Sequence, residues 1–348
     1  MLDSIQALLD AFPEGVVQLQ EGTVAFANAM ARHYLPQLEP GQPCPGFLTL
    51  PRGGPAGAGT FTAGPATYAY SCTAGREGQT VFFRPAPQTA LTSRQLEGVL
   101  GQLRALLGEI LAEVGPATAV PGAAIPADAF SKSFHRLFRL VGNLEFMQQA
   151  AGEEGVLFRP VTMDLDGLCR HVVRQAYPLL RDVGVELEYE PAQTGLLIPG
   201  DPELLQRLLL GLIGNAARAA GEGRVTLTLR RQGERALASV SDNGPLPDSK
   251  QIAALLQQGG GEDLPLPGQG AGLGLPIARH IVALHKGSLL VEWGQSAPSV
   301  VLSLPTGPLD GRVGVQTPAL QRDGGLDPIL TELSDLLPPS LFGLEGLD

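Results

Sequence analysis

The sequence predicts an α+β protein of several parts. These are a mixed α/β unit over residues 1–90, a helical hairpin over 91–155, a two-layer α/β sandwich over 156–305, and a flexible tail over 306–348 with one short helical stretch. Three observations predict this. Short alternating runs broken by Gly/Pro turns fill the first ninety residues. The period then changes to a heptad-like seam. Beyond Val161, helical patterns precede mostly antiparallel strand patterns, the signature of helices layered on one sheet.

The composition supports folded cores: of 348 residues, 44% are hydrophobic and only 17% charged, while 45 Gly and 30 Pro call for generous loops. The net charge of −11 argues against a nucleic-acid partner, which would need a basic face. Cys44, Cys72 and Cys169 are scattered without a CxxC, so neither a disulfide framework nor a zinc site is expected, and a reducing, cytoplasmic setting fits. The N-terminal stretch lacks the basic start and apolar run of a signal peptide. No membrane span is expected; residues 204–220, the longest apolar stretch, carry Gln206, Arg207, Asn215 and Arg218.

In order along the chain, residues 4–11 read as a short helix, 15–19 and 23–26 as strands around a Glu21-Gly22 turn, and 28–34 as a helix capped by Asn28. Residues 53–64 read as a loop, and 66–71 and 80–83 as two further strands. Leu96, Leu100, Leu103, Leu107, Ile110 and Val114 form the first seam, which Gly115-Pro116 is expected to stop. After a Pro/Ala/Gly linker at 117–126, a second helix runs from Asp128 to about Ala150 with Phe130, Phe134, Leu137, Val141 and Leu144 in seam positions. One hairpin buries only one face, so two are expected to pair as a homodimeric four-helix bundle. Residues 164–180, 202–220 and 275–284 then read as helices. Residues 185–190, 224–230, 236–242, 288–293 and 299–304 read as strands, and 328–337 as the helical part of the tail.

Three stretches carry chemistry. Gly268, Gly270, Gly272 and Gly274, with Leu273 between the last two, open a helix. Glycine lets backbone N–H groups approach an anion, and the helix N-terminus adds partial positive charge, so this is a phosphate cradle. The flanking pattern differs from a dinucleotide-binding fingerprint. Asp242, followed by Gly244, sits at a strand end and can accept a hydrogen bond from an exocyclic amine. Asn215 is a polar residue on an otherwise apolar helix face, and its amide oxygen suits Mg²⁺.

These three boxes, in this order, resemble the ATP-binding domain of sensor histidine kinases, whose wider group includes gyrase, a heat-shock chaperone family and the MutL mismatch-repair proteins. The resemblance covers residues 161–305 and implies ATP and Mg²⁺ as ligands. Asn215 would hold the metal, Asp242 with Gly244 would read the adenine amine, and Gly268, Gly270, Gly272, Leu273 and Gly274 would close on the phosphates. Upstream, Phe134-His-Arg-Leu-Phe-Arg-Leu-Val-Gly-Asn-Leu-Glu resembles the second helix of the kinase dimerisation bundle, and residues 5–32 resemble the opening of a PAS sensor domain. The family implies signal transduction in a two-component pathway, with a response-regulator receiver domain or a partner histidine kinase as partner.

The chain departs from that family at the phosphoacceptor. Members read His-Glu-Leu-Arg-Thr-Pro-Leu; this chain reads Gly101-Gln102-Leu103-Arg104-Ala105-Leu106-Leu107, which places Gly101 in the acceptor register. His135, on the second helix, is the nearest histidine candidate, and an alternative alignment there would put Ser131 in the register. Gly211 stands where an asparagine commonly precedes Asn215, Leu246 where a second glycine follows Asp242, and residues 256–264 where an aromatic box precedes the glycine loop. The expectation is a histidine-kinase-like, ATP-binding protein without histidine autophosphorylation. The alternative is a non-catalytic pseudokinase that binds a partner.

Overall fold

A computed structural model describes residues 9–10, 12–48, 56–64, 66–75, 78–86, 93–119, 127–152, 155–245, 273–293, 298–307 and 326–343. Of the helix expected at residues 4–11, only Leu9 and Asp10 are described, and both are helical. Strands β1 (Gly15–Gln20) and β2 (Thr23–Ala27) pair across a tight turn at Glu21 and Gly22, both at positive φ. Helix α1 (Ala29–Tyr34) begins at Asn28. The buried Asn28 amide accepts from the N–H groups of Val16 and Ala31 at 2.9 and 2.8 Å and donates to the carbonyls of Leu9 and Glu14 at 2.8 and 2.9 Å. With every hydrogen-bonding position used, this side chain fixes the start of α1 against β1.

Residues 53–64 are corrected from loop to strand over most of their length: β3 (Ala56–Ala63) pairs with β4 (Ala66–Gly75), and β4 with β5 (Gly78–Pro85). The reason lies on the other side of β3. It runs antiparallel to a late strand, β11 (Ser288–Trp293), where a Cβ on Gly59 would lie 1.8 Å from the Leu289 carbonyl oxygen. A Cβ on Gly57 would lie 2.7 Å from the Leu290 side chain. The glycines that resemble a loop allow two backbones to approach.

Helix α2 (Ser93–Ala119) continues through Gly115-Pro116, correcting the expected stop. A proline this near the end removes one N–H and disturbs only the last turn. Within α2 the chain buries Val99 and Leu106, whereas Leu96, Leu100 and Leu107 of the expected seam stay exposed and Leu103 is packed inward. Helix α3 (Ala127–Ala151) packs against α2, burying Leu140, Phe146 and Met147 and exposing Phe130, Phe134 and Val141.

The C-terminal half contains β6 (Val161–Asp164), α4 (Leu165–Arg181), β7 (Glu186–Pro191), β8 (Leu197–Gly200), α5 (Pro202–Ala220), β9 (Arg224–Gln232), β10 (Arg235–Asp242), α6 (Gly274–Leu284), β11 and β12 (Pro298–Pro305). Strands β6 and β8 form a small antiparallel pair that the sequence reading did not anticipate. All other described strands join one sheet in the order β2-β1-β5-β4-β3-β11-β12-β10-β9-β7, antiparallel except for β7–β9.

Because side chains alternate across a strand, this sheet has two cores. Leu289, Val291 and Leu302 face the layer of α4, α5 and α6, whereas Leu290 and Val301 face the aromatic core of Phe61, Tyr70 and Phe83. Far beyond β12, residues 326–343 are docked rather than loose. Helix α7 (Pro328–Leu333), capped by Asp327, and a 3-10 turn, Pro339–Phe342, bury Ile329, Leu333, Leu337 and Phe342 in the α-helical core.

Candidate functional site

Helix α5 carries the centre of the site, and its position is set at its N-terminus. Asp201 caps it, accepting from the Glu203 and Leu204 N–H groups at 3.1 and 3.2 Å, with Pro202 in the first turn. The Asp201 N–H in turn donates to His285 Nε2 at 2.9 Å, while His285 Nδ1 donates to the Ile281 carbonyl at 2.7 Å. Burial pushes the His285 pKa down, so the ring stays neutral with one nitrogen donating and the other accepting. His285 thus shapes the end of α6 and also ties α6 to the start of α5.

Asn215 is half-buried on α5, and Gly214 beside it is packed under Leu333 of α7. The structure brings Asn215 against the N-terminus of α6: a Cβ on Gly274 would lie 3.3 Å from Asn215 Nδ2. Leu273, just before that helix, is buried. One helical turn after Asn215, the Ala219 carbonyl meets the turn that follows β10, where a Cβ on Gly244 would lie 2.3 Å from the Ala219 oxygen. Only glycine fits there, and its N–H donates to Asp242 Oδ1 at 2.9 Å. Burial raises the pKa of Asp242 and the Gly244 N–H opposes that rise. No other hydrogen bond to this carboxylate occurs among the described residues, which leaves acceptor capacity for a ligand amine.

Two of the three sequence boxes therefore meet on one face of α5, together with the last residues of the third. Gly268, Gly270, Gly272, Leu246 and residues 256–264 lie outside the described residues. The histidine-related positions lie elsewhere. Gly101 is exposed on α2 with open space around it. His135 is only 6% exposed, its Nδ1 2.8 Å from the Ser131 carbonyl and its ring edge-on to Phe342.

The sequence reading missed Arg218 and Asp335. Arg218 Nη1 donates to Asn215 Oδ1 at 3.2 Å, and Arg218 Nη2 to Asp335 Oδ2 at 3.2 Å. Arg136 Nε donates to Asp335 Oδ1 at 3.0 Å, and Arg139 donates to the same Oδ2 as Arg218 and to the Glu332 carbonyl. Burial alone would raise the Asp335 pKa; Arg139, Arg218 and Arg136 outweigh it and hold the carboxyl below its usual range. The i, i+3 spacing of Asn215 and Arg218 was a signal in the sequence, but no pattern linked either to Asp335.

Among the described residues, a metal at this site would find the side-chain oxygen of Asn215, Oδ1, already shared with a guanidinium. No group of three or more His, Cys, Asp or Glu side chains that could hold a metal ion occurs among the described residues. Mg²⁺ therefore fits only as an ion that takes its remaining ligands from nucleotide phosphates and water.

Residues 200–308 match the family described as histidine kinase-, DNA gyrase B- and HSP90-like ATPase. The virulence sensor protein BvgS of Bordetella bronchiseptica is 35% identical over 179 residues, which is 48% of this chain and 14% of that protein. The circadian input-output histidine kinase CikA of Synechococcus elongatus is 29% identical over 169 residues, 47% of this chain and 22% of that protein. The chain thus spans less than a quarter of the length of either relative. Full-length ShkA in complex with AMPPNP, a solved structure, aligns with a TM-score of 0.46 at 23% identity, covering 63% of this chain and 47% of that one. Residues 200–308 thus carry a domain of the histidine kinase-, gyrase B- and HSP90-like ATPase type, and the two curated relatives are named as a virulence sensor protein and a circadian input-output histidine kinase. No helix among the described residues is long and apolar enough to cross a membrane.

Proposed function

We propose that this chain, whose residues 200–308 belong to the histidine kinase-, gyrase- and HSP90-like ATPases, is an ATP-binding signalling protein of two-component type that does not phosphorylate itself on histidine. In this reading residues 1–90 are a PAS-like sensor, 91–155 a dimerising hairpin and 156–305 the ATP-binding domain. Asp242 and Gly244 receive the adenine, Asn215 holds Mg²⁺ against the phosphates, and the Gly268–Gly274 loop with Leu273 closes over them. Residues of this chain bind and orient the nucleotide, but transfer also needs a nucleophile held in line with the γ-phosphate. The observation that carries the reading is the state of the two acceptor positions: Gly101 is exposed but bears no side chain, and His135 bears an imidazole but is buried against Phe342. The partner is then a response-regulator receiver domain or a second histidine kinase, engaged as a non-catalytic pseudokinase would engage it.

The test is incubation with γ-labelled ATP, with the label examined in acid and base. The expected outcome is no label that is acid-labile and base-stable. Such a label, lost in His135→Ala, would place the acceptor on α3 and overturn the reading.

A further inference from the structure

Three guanidinium groups converge on one carboxylate at the junction of α3, α5 and the docked tail: Arg136 and Arg139 from α3, and Arg218 from α5, all on Asp335. A second tail carboxylate, Glu332, lies 3.7 Å from Arg207 of α5. Arg207 itself donates to Asn143 Oδ1 of α3 at 2.7 Å. The tail thus joins the helix that carries the site to the hairpin beneath it. Arg136 is shared with Glu109 of α2, so Asp335 is the described carboxylate that holds Arg139 and Arg218, and a guanidinium binds phosphate through the same paired N–H groups that it offers a carboxylate. Arg218 is the member of the cluster that also touches the site, through Asn215 Oδ1.

We propose that Arg218 is contested by two anions, the tail carboxylate of Asp335 and the phosphates of a bound nucleotide, so that nucleotide binding and docking of residues 326–343 oppose each other. The inference rests on the nucleotide reading above. With the tail docked, Asp335 turns Arg218 towards α3 and the site lacks its full charge. With phosphates bound, the guanidinium swings to them, and Asp335 loses its α5 partner, which leaves Arg207–Glu332 as the tail's ion pair to α5 among the described residues. Such a coupling is reciprocal: whatever factor the tail takes from nucleotide affinity, nucleotide takes from tail docking.

Two measurements test this. Calorimetry compares ATP and adenosine binding to the full chain and to Asp335→Asn. ATP should bind the variant about five- to tenfold more tightly, adenosine equally to both, and the gain should vanish when Arg218→Met is added. In the unmodified chain, saturating ATP should speed amide exchange of residues 329–337 by a similar factor, and adenosine should not. The exchange experiment decides alone if Asp335→Asn proves unfolded by circular dichroism. Equal ATP affinity with unchanged tail exchange would overturn the proposal while leaving the nucleotide site standing. If neither ATP nor adenosine binds any form, the nucleotide reading falls and this inference with it.

Discussion

In the proposed site Asp242 is the group that would distinguish a nucleotide from a bare phosphate chain. Its carboxylate is half-buried at a strand end and uses one oxygen on the Gly244 N–H. Asp242→Asn keeps the shape, removes the charge, and turns one acceptor into a donor facing the ligand amine. A hydrogen bond to a charged group contributes about 1.5–3 kcal/mol, so ATP affinity should fall by roughly one to two decades. Inorganic triphosphate, which has no base, should be unaffected. Calorimetry that shows both ligands weakened alike would move Asp242 out of the base pocket. Asn215 was legible in the sequence as a polar residue on an otherwise apolar helix face, and Asp242 as a carboxylate at a strand end with Gly244 two residues on. The Arg218–Asp335 contact was not, because it joins residues 117 positions apart through a tail that lacks any motif.

Strand β3 shows why local patterns misled at the level of elements. Ala-Gly-Ala-Gly has low strand propensity and no apolar alternation, so residues 53–64 read as a loop. The strand exists because β11 offers a free edge and needs small residues opposite it, a tertiary fact that the local sequence does not contain. The same pairing makes a sharp prediction. Gly59→Val places its Cβ on the Leu289 carbonyl, where neither backbone can yield without breaking the β3–β11 ladder. Overpacking of this kind costs about 1–3 kcal/mol, and here it falls on the one strand pairing that joins the N-terminal five strands to the rest of the sheet. Small-angle scattering should report a more extended particle, while the core under α4, α5 and α6, built on the other sheet face, stays folded by circular dichroism. An unchanged scattering profile would show that the junction does not depend on this strand pair. The long helices were more legible, because amphipathic period and capping residues such as Asp164 and Asp201 are local signals.

At the scale of the whole molecule, the hairpin keeps two apolar faces, of which the described residues cover one. Val99, Leu106 and Leu140 pack inward, whereas Leu107 is 46% and Leu111 71% exposed, joined by Leu96, Leu100, Phe130, Phe134 and Val141. The seam spacing was readable in the sequence, but which residues face inward was not. That choice depends on where α5, α6 and the tail dock, and these begin about fifty residues or more downstream. An apolar stripe of this size along two adjacent helices is the kind of surface that pairs with another protein, and a second hairpin of the same kind presents a matching one. A homodimer is therefore expected. It separates two classes of substitution. Leu107→Glu alters a side chain already in water within the single chain, so it should change monomer stability by no more than about 0.5 kcal/mol. It would nonetheless place a carboxylate in the dimer seam, where an unpaired charge costs several kcal/mol. Leu103→Asp, by contrast, strikes the inward face and should lower the melting temperature of the chain itself. Light scattering should give a dimer mass for the unmodified protein and a monomer mass for Leu107→Glu with its far-ultraviolet spectrum intact. A monomer mass for the unmodified protein at high micromolar concentration would defeat the homodimer and leave the stripe to a different partner.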